Sequence, residues 1–259
     1  MITSISDVQG FAKKLLPKTL DFGPGLNVVL GENGCGKSTL LRLLGAYTGC
    51  PKQTGWNGPI LRGANQTDSY AERLAYNASC PASVTWDGGR VLHVDPKYLD
   101  DVVSAGQFEY GSTELSMMDH LGLLSSKASS GQVRGHLLFK QIKALADGPP
   151  AYKGPKSYIQ EFEDYVQTKG NGQKATVLLD EPERGLDLGQ QEMLWIDILP
   201  AVAQRYQVIA TTHSVFGYLW MNEPDTVLWL GKNKFAKSLR LLRTGLDKPV
   251  KQLTEQENS

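Results

Sequence analysis

Short apolar runs alternate with amphipathic segments along this chain, and the alternation predicts an α/β fold. Apolar runs bounded by polar or glycine-containing turns predict strands at residues 2–8, 19–22, 26–30, 90–94, 175–179, 207–211 and 226–230. Apolar positions at helical spacing predict helices at residues 131–146, 158–166 and 190–199, with a further short helix near 70–76. Because strands that alternate with helices favour parallel pairing, we expect a largely parallel central sheet flanked by helices.

A glycine-containing stretch follows the predicted strand at 26–30 and opens a helix. It reads Gly31-Glu32-Asn33-Gly34-Cys35-Gly36-Lys37-Ser38-Thr39, which matches the phosphate-loop pattern G-x-x-x-x-G-K-[ST] in full. Glycines allow the backbone to approach a phosphate chain closely, and the N–H groups of a helix N-terminus face the anion. The sequence therefore predicts a nucleoside triphosphate site, with Lys37 on the β- and γ-phosphates and Ser38 as a ligand of Mg²⁺. The residues assigned to the nucleotide here are Gly31, Asn33, Gly34, Cys35, Gly36, Lys37, Ser38 and Thr39.

Two carboxylates end the predicted strand at 175–179. Asp180 and Glu181 follow the apolar run, so they are expected at the carboxyl edge of the sheet, where α/β folds bind ligands. Because successive side chains of a strand point to opposite faces, the two carboxylates are expected to have different roles. Asp180 is predicted to face Mg²⁺ through water, and Glu181 to polarise the water that attacks the γ-phosphate.

A histidine stands at the end of the next predicted strand. His213 follows the strand at 207–211, one helix after the strand that ends in Asp180 and Glu181. Because neighbouring parallel strands end at the same edge of a sheet, we expect His213 near the γ-phosphate, in a catalytic role.

Net charge and cysteine content limit the partners and the cellular compartment that we expect. The formal net charge is zero, so the molecule as a whole offers no strong field for DNA or acidic membranes. Basic residues are concentrated at 232–251, and such a run fits either a nucleic-acid phosphate backbone or a solvated face. The three cysteines show no paired or metal-type spacing, and no run resembles a signal or a membrane span, so we expect a cytoplasmic protein with no membrane partner. Cys35, at a helix N-terminus, is expected to have a lowered thiol pKa.

Together these motifs resemble those of the ATP-binding-cassette ATPases, and within them the SMC/RecF/OLD-like branch of the AAA family. The likeness is carried by residues 22–34, by the Walker B segment 179–183 and by the switch segment 210–214. It implies a P-loop fold of ABC type, with a mixed central sheet flanked by helices, an N-terminal antiparallel β subdomain and a helical signature lobe. It also implies ATP and Mg²⁺ as cofactors.

ATPases of this kind hydrolyse ATP between two heads, and a signature motif from one head caps the γ-phosphate held by the other. The resemblance therefore implies a homodimer around two ATP molecules. The candidate signature is Ser129-Ser130-Gly131-Gln132, which departs from L-S-G-G-Q at Ser130 and at the leucine position. Asp187 is expected in the loop that contacts the second copy, and Phe11 is expected either to stack on adenine or to pack in the core.

A single domain is expected over residues 1–259. Its predicted parts are a nucleotide-binding core at 1–48 and 174–232, a loop-rich and helical signature lobe at 50–173 with an insertion at 147–173, and a basic tail at 233–259. The apolar stripe at 158–166 within the insertion could dock a partner or pack on its own core.

Motif spacing favours a stand-alone ATPase over a transporter subunit. The phosphate loop and the signature are too close in sequence for a coiled-coil arm between them. Ser129 is also further from Asp180 than in a transporter subunit, and no clear Q-loop glutamine is found. We expect a nucleotide-driven switch for a protein effector, for which family analogy suggests DNA repair or defence against phage and mobile elements. The alternatives are the ATP-binding subunit of a transporter and an ATP-gated scaffold whose hydrolysis is incidental.

Overall fold

The structure is a computed structural model that describes most of the predicted nucleotide-binding core. The described residues are 1–50, 76–94, 139, 142–143, 145–147, 173–220, 226–231, 237–238 and 241. The candidate signature, the insertion with its apolar stripe and nearly all of the basic tail lie outside the described residues, as does most of the predicted helix near 70–76. Across the described part of the chain, no helix combines the length and apolar character needed to cross a membrane.

Strands and helices alternate as the apolar pattern predicts. The described strands are β1 (Ile2–Ser6), β2 (Thr19–Asp21), β3 (Leu26–Gly31), β4 (Ser83–Trp86), β5 (Val91–Val94), β6 (Thr176–Asp180), β7 (Gln207–Thr212) and β8 (Thr226–Leu230). The described helices are α1 (Lys37–Tyr47), α2 (Leu188–Met193), α3 (Leu199–Arg205) and α4 (Val215–Trp220). A 3₁₀ turn spans Gly10–Lys14, and a π-helical turn at Leu194–Ile198 joins α2 to α3.

Two sheets form the framework. The central sheet has the strand order β5-β6-β7-β3-β8, and each described pairing in it is parallel. A separate antiparallel sheet has the order β2-β1-β4. The α/β fold with an N-terminal antiparallel subdomain is thus confirmed. A mixed central sheet was predicted; in the structure, the described pairings of the central sheet are parallel, and the antiparallel pairings lie in the smaller sheet.

The central sheet is buried on both faces, and alternation along its strands separates two cores. On one face, Val28 and Leu30 of β3 pack with the helix that runs through α2 and α3. On the other face, Val29 packs with α1 and with Ile2 and Ile5 of the antiparallel sheet. Burial on both faces explains why the parallel strands read as continuous apolar runs instead of alternating ones.

A buried glutamine fastens the two sheets to each other. The side-chain oxygen of Gln207 accepts hydrogen bonds from the Ile2 N–H and the Thr176 hydroxyl, each at 2.8 Å. Its amide nitrogen donates to the carbonyls of Ile2 and Gly23, each at 2.7 Å. Its four hydrogen bonds offset the cost of burying this polar side chain and hold the antiparallel sheet against the start of β7.

The segment at 50–90, which was expected to be loop-rich, contains a strand that the sequence did not reveal. β4 pairs with β1, with Val84 opposite Ile5, and it completes the antiparallel sheet. β5 then forms an edge of the central sheet beside β6. Both strands lie within the range assigned to the signature lobe, so residues 83–94 contribute to the framework of the core.

The helix predicted at 190–199 is longer at both ends. It begins after Asp187, whose carboxylate accepts a hydrogen bond from the Gln190 N–H at 2.9 Å and caps the helix. At the other end, Pro200 favoured a stop at residue 199, because proline lacks the N–H that the helical ladder requires. The π-helical turn at Leu194–Ile198 accommodates this loss, and the helix continues to Arg205.

Candidate functional site

The phosphate loop is a tight connection between β3 and α1. Gly36 has φ 106°, a left-handed conformation that favours glycine, and it caps the N-terminus of α1. Gly31 is equally restricted, because an added Cβ would lie 2.7 Å from the carbonyl oxygen of Leu230 and would also meet the Cys35 sulfur. The loop backbone therefore has the strand–loop–helix geometry that the pattern predicts, and the N-terminal N–H groups of α1 face the loop.

Lys37 is buried at the base of this loop, with 5% of its surface exposed. Its ammonium group donates hydrogen bonds to the carbonyl oxygens of Gly31 at 2.9 Å and Glu32 at 3.1 Å. It also lies 3.8 Å from Oε1 of Glu181, which belongs to the neighbouring carboxylate segment. The loop thus holds a buried positive charge beside the predicted phosphate site.

Cys35 departs from its predicted chemistry. The expectation of a lowered pKa is wrong, because burial raises the pKa of the Cys35 thiol, and the nearby Lys37 charge offsets this effect only in part. The side chain packs inward, close to the positions that a Cβ on Gly31 or Gly231 would take. Burial therefore disfavours the thiolate form of Cys35, the form that reacts as a nucleophile.

The two hydroxyl residues that begin α1 have different surroundings. Ser38 is half-buried at the second position of the helix, on the loop side. Thr39 is also half-buried, and Tyr76, which packs against the core cluster that includes Leu40 and Leu44 of α1, has a phenol pKa raised by burial. Asn33 is exposed at the tip of the loop. The structure therefore adds Tyr76, which sequence reasoning did not single out, to the edge of the predicted site.

β6 and β7 bring the predicted carboxylates and the histidine together. Asp180 pairs in register with Thr211, and the Thr211 hydroxyl donates a 2.7 Å hydrogen bond to Oδ1 of Asp180. Asp180 is buried, with 5% of its surface exposed. A carboxylate oriented by a neighbouring hydroxyl is suited to a metal, because its direction is set in advance.

Glu181 is held in an uncommon backbone conformation. Its φ of 49° is left-handed, and its N–H donates to the Thr211 carbonyl at 3.0 Å. The carboxylate is directed back across the strand end, where Oε1 lies 3.0 Å from Nδ1 of His213. Non-glycine residues adopt this conformation at a cost of about 1–3 kcal/mol, which is typical of residues positioned for function.

Three successive residues of β7 and its following turn contact the three acids of the segment 180–183. Thr211 contacts Asp180, Thr212 donates to Glu183, and His213 contacts Glu181. The predicted neighbourhood of Asp180, Glu181 and His213 is thus present, and Lys37 lies beside it. The arrangement places one ammonium group, one oriented carboxylate and a carboxylate–imidazole pair at one edge of the sheet.

Glu183 is the least expected member of this group. It is buried, its Oε1 accepts a hydrogen bond from the Thr212 hydroxyl, and its Oε2 has no hydrogen-bond partner in the part of the chain that the structure describes. Burial raises the pKa of Glu183 from 4.5 to about 7; the Thr212 hydrogen bond and Lys37 oppose the shift, and the Glu181 charge adds to it. The carboxyl group is therefore partly protonated near neutral pH.

This raised pKa makes stability depend on pH. Between about pH 4.5 and 7, Glu183 is mostly ionised in the unfolded chain and mostly protonated in the folded chain. The free energy of unfolding therefore falls as pH rises through this range, and it levels off above about pH 7. Glu183→Gln removes the ionisation and keeps an oxygen that accepts from Thr212. We expect its stability relative to the parent to increase by about 2–3 kcal/mol from pH 5 to pH 8, measured by urea unfolding.

The matched control is Glu192→Gln, which changes an exposed acid on α2. Its stability relative to the parent should stay constant over the same pH range. A Glu183→Gln difference that is equally constant would contradict the raised pKa.

Two further predicted site residues have identified surroundings. Asp187 is exposed and caps α2, so a structural role accompanies its predicted contact with a second copy. Phe11 is 51% exposed on the 3₁₀ turn and meets Tyr76 edge-on, with ring centroids 6.3 Å apart. The alternative that Phe11 packs in the core is therefore wrong. The candidate signature residues Ser129, Ser130, Gly131 and Gln132 lie outside the described residues and stay a prediction.

Two threonines and one acid whose contacts organise the site were not predicted as site residues from the sequence. Thr211 and Thr212 are polar residues inside an otherwise apolar strand that is buried throughout. A polar pair at the end of a buried strand is itself a signal, because buried hydroxyls need partners. Glu183 carried a similar signal, since it is a third acid within four residues of Asp180.

The residues present fit a magnesium ion that arrives with a nucleotide. Within the described part of the chain, no group of three or more His, Cys, Asp or Glu side chains could hold a metal. Asp180 offers an oriented carboxylate and Ser38 a hydroxyl at the start of α1. Mg²⁺ takes few protein oxygens and completes its coordination with water and phosphate, which this donor set matches.

Comparison with known proteins gives one family match and likenesses to solved structures. Residues 4–69 match the family model described as AAA domain. Among solved structures, the chain is similar to a nucleotide-free ATP-binding cassette from an ABC transporter, at 16% identity over 92% of this chain and 95% of that chain, with a TM-score of 0.38. It is also similar to an Smc head bound to the C-winged helix domain of ScpA, at 13% identity over 88% of this chain and 93% of that chain, with a TM-score of 0.38. No curated protein matches the chain at a significant level.

The AAA domain match includes the end of β1, the phosphate loop and α1. It agrees with the resemblance to ATPases of the ATP-binding-cassette and SMC type, and it supports nucleotide binding and hydrolysis by a P-loop ATPase domain. The two structural likenesses are remote, and the site geometry described above does not depend on them.

Proposed function

We propose that this chain binds ATP on its phosphate loop and hydrolyses it as an ATPase of ATP-binding-cassette type that closes as a homodimer. The observation that carries this proposal is the convergence of Lys37, Glu181 and His213 at one edge of the sheet. Glu181 Oε1 lies 3.8 Å from the Lys37 ammonium and 3.0 Å from the His213 ring. A phosphate-binding cation beside a carboxylate–imidazole pair suits attack of water on a terminal phosphate.

Each residue has a distinct task in this reaction. Lys37 exchanges its bonds to the Gly31 and Glu32 carbonyls for phosphate oxygens. Glu181 accepts a proton from the attacking water, and His213 orients the Glu181 carboxylate and contacts the γ-phosphate. Asp180 and Ser38 would hold Mg²⁺, which neutralises phosphate charge when bound.

The exposure of these residues supports a second copy as the missing part of the site. His213 is 46% exposed and Glu181 is 21% exposed, so water reaches the pair from one side. Hydrolysis between two heads requires a cap over that side, for which the predicted signature Ser129–Gln132 of a second copy is our candidate. Asp187, exposed at the start of α2, is proposed to contact that copy.

A base-binding surface is proposed at the pair formed by Phe11 and Tyr76. Phe11 is exposed on a turn that packs against the loop, since a Cβ on Gly36 would meet Leu15 at 2.8 Å. Tyr76 packs against the core cluster that includes Leu40 and Leu44 of α1. An exposed ring beside a phosphate loop is suited to stacking on adenine.

The finer biological role is proposed from analogy. We propose that ATP-driven closure licenses a protein effector, with DNA repair or defence against phage and mobile elements as its setting. The basic run at 232–251 is the candidate contact for nucleic acid in that setting.

The test is the mass and the turnover of the purified chain. We expect its mass by light scattering to double at saturating ATP with Mg²⁺, and the specific ATPase activity to rise with protein concentration, because each site needs two copies. A chain that stays monomeric at saturating ATP, or turnover that is independent of concentration, would contradict the dimeric site. Turnover slower than effector release would favour an ATP-gated scaffold instead.

A further inference from the structure

Glu183 is a buried acid for which ATP hydrolysis has no chemical use. It is 5% exposed, whereas Glu181 at 21% faces the solvent side of the site. A short turn holds it in place, because the Leu186 N–H donates to the Glu183 carbonyl at 3.1 Å and the Arg184 N–H to the Glu181 carbonyl at 3.0 Å. The Glu183 carboxyl group therefore sits behind the Glu181–His213 pair, on a rigid support.

Its side chain is hydrogen-bonded to Thr212, the residue before the histidine. The Thr212 hydroxyl donates to Oε1 of Glu183 and accepts from the Ser214 N–H at 2.9 Å. A hydroxyl has one hydrogen to donate, so the bond to Glu183 sets its direction and leaves its lone pairs for Ser214. His213 stands between these two residues, and its backbone is thus fixed on both sides.

Packing alone does not account for an acid at this position. Oε2 is buried and has no hydrogen-bond partner among the described residues, which is an uncommon and costly state for a carboxyl oxygen. An apolar side chain could fill the same space without that cost. Thr212 would then have no acceptor for its hydroxyl hydrogen, and the turn that carries His213 would lose its support on the β6 side.

We propose that Glu183 is a positioning residue, which fixes the Thr212 hydroxyl and so aims the His213 ring at Glu181. This inference rests on the proposed ATPase function for its kinetic consequence. The pair would keep its 3.0 Å contact because the histidine backbone cannot rotate away. Small misplacements of such groups cost up to about a hundredfold in rate.

The experiment compares variants at both ends of the Glu183–Thr212 hydrogen bond. Glu183→Leu and Thr212→Val each remove the bond, and each should lower kcat for ATP hydrolysis by about ten- to a hundredfold, with ATP affinity measured by calorimetry changed less than about threefold. The double variant should be no slower than the slower single variant, because both changes remove one interaction. Glu183→Gln keeps an acceptor oxygen and should restore most of kcat, while Glu192→Gln, on the exposed face of α2, should leave it unchanged.

A second readout is independent of turnover. The chain has four histidines, and the imidazole NMR signal of His213 is identified by its loss in His213→Gln. We expect this signal to shift in Glu183→Leu and Thr212→Val and to keep its parental position in Glu183→Gln. The other three histidine signals should stay in place, which also shows that the variants are folded.

The outcomes separate the two proposals. A folded Glu183→Leu variant with parental kcat and an unmoved His213 signal would overturn the positioning role. Equal losses of kcat and ATP affinity would also overturn it, because they indicate a damaged nucleotide site. A parent protein without ATPase activity would refute the proposed function, and the His213 signal would still decide whether Glu183 positions the histidine.

Discussion

Glu181→Gln should lower ATP hydrolysis by about a hundredfold or more and leave ATP bound. The amide has the size of the carboxylate and occupies the same backbone position, but it cannot accept the proton of the attacking water. Removal of the negative charge 3.8 Å from Lys37 also favours an anionic ligand beside it. The variant should therefore accumulate an ATP-bound dimer that the parent protein passes through quickly.

The measurements are single-turnover hydrolysis and light scattering with ATP and Mg²⁺. Glu192→Gln is the matched control, since it makes the same chemical change on an exposed part of α2 and should hydrolyse ATP at the parental rate. If Glu181→Gln retained more than about a tenth of the parental rate, Glu181 could not be the general base. We assign ATP binding to Lys37 and proton transfer to Glu181. A Glu181→Gln variant that fails to bind ATP would contradict this assignment.

Lys37→Ala should lower ATP affinity by about thirtyfold or more. Lys37 is 5% exposed, so its charge meets phosphate in a site from which water is largely excluded. Loss of one partner from a buried, hydrogen-bonded charge pair costs about 2–5 kcal/mol, which corresponds to about thirtyfold to several thousandfold in affinity. The alanine variant also leaves the Gly31 and Glu32 carbonyls without this donor, which weakens the loop itself.

Calorimetric titration with a non-hydrolysable ATP analogue measures this effect. Lys18→Ala is the matched control, because Lys18 is exposed and lies before β2, and its affinity should equal that of the parent. Thermal unfolding distinguishes a damaged loop from a lost contact. Parental affinity in a folded Lys37→Ala protein would place the phosphate chain elsewhere and remove the basis of the proposed function.

The local pattern of apolar and polar residues was sufficient to predict most strands of the two sheets. The parallel strands β3, β6, β7 and β8 were predicted within one residue at each end. β3, β6 and β7 are buried along their whole length, and strands buried on both faces read as continuous apolar runs. β4 was missed because its residues are only partly buried, with Ser83 and Thr85 exposed, so its apolar signal is weak. The stop predicted at residue 199 was wrong because a π-helical turn absorbs the missing N–H of Pro200.

The sequence by itself determined the groups available for chemistry. The order of glycines around Lys37 is a local property, since a tight loop before a helix requires small residues at particular positions. The position of Asp180 and Glu181 after an apolar run likewise depends on neighbours in sequence. These features needed no knowledge of which strands pair.

Only the tertiary structure decided which groups meet. The order β6-β7-β3 sets Thr211 opposite Asp180 and brings the Glu181–His213 pair beside Lys37. The same packing buries the thiol of Cys35, which reverses its expected pKa shift, and buries Glu183 against Thr212. The physical reason is that strand order, register and desolvation arise from contacts between segments far apart in sequence, which a local pattern of apolar and polar residues does not encode.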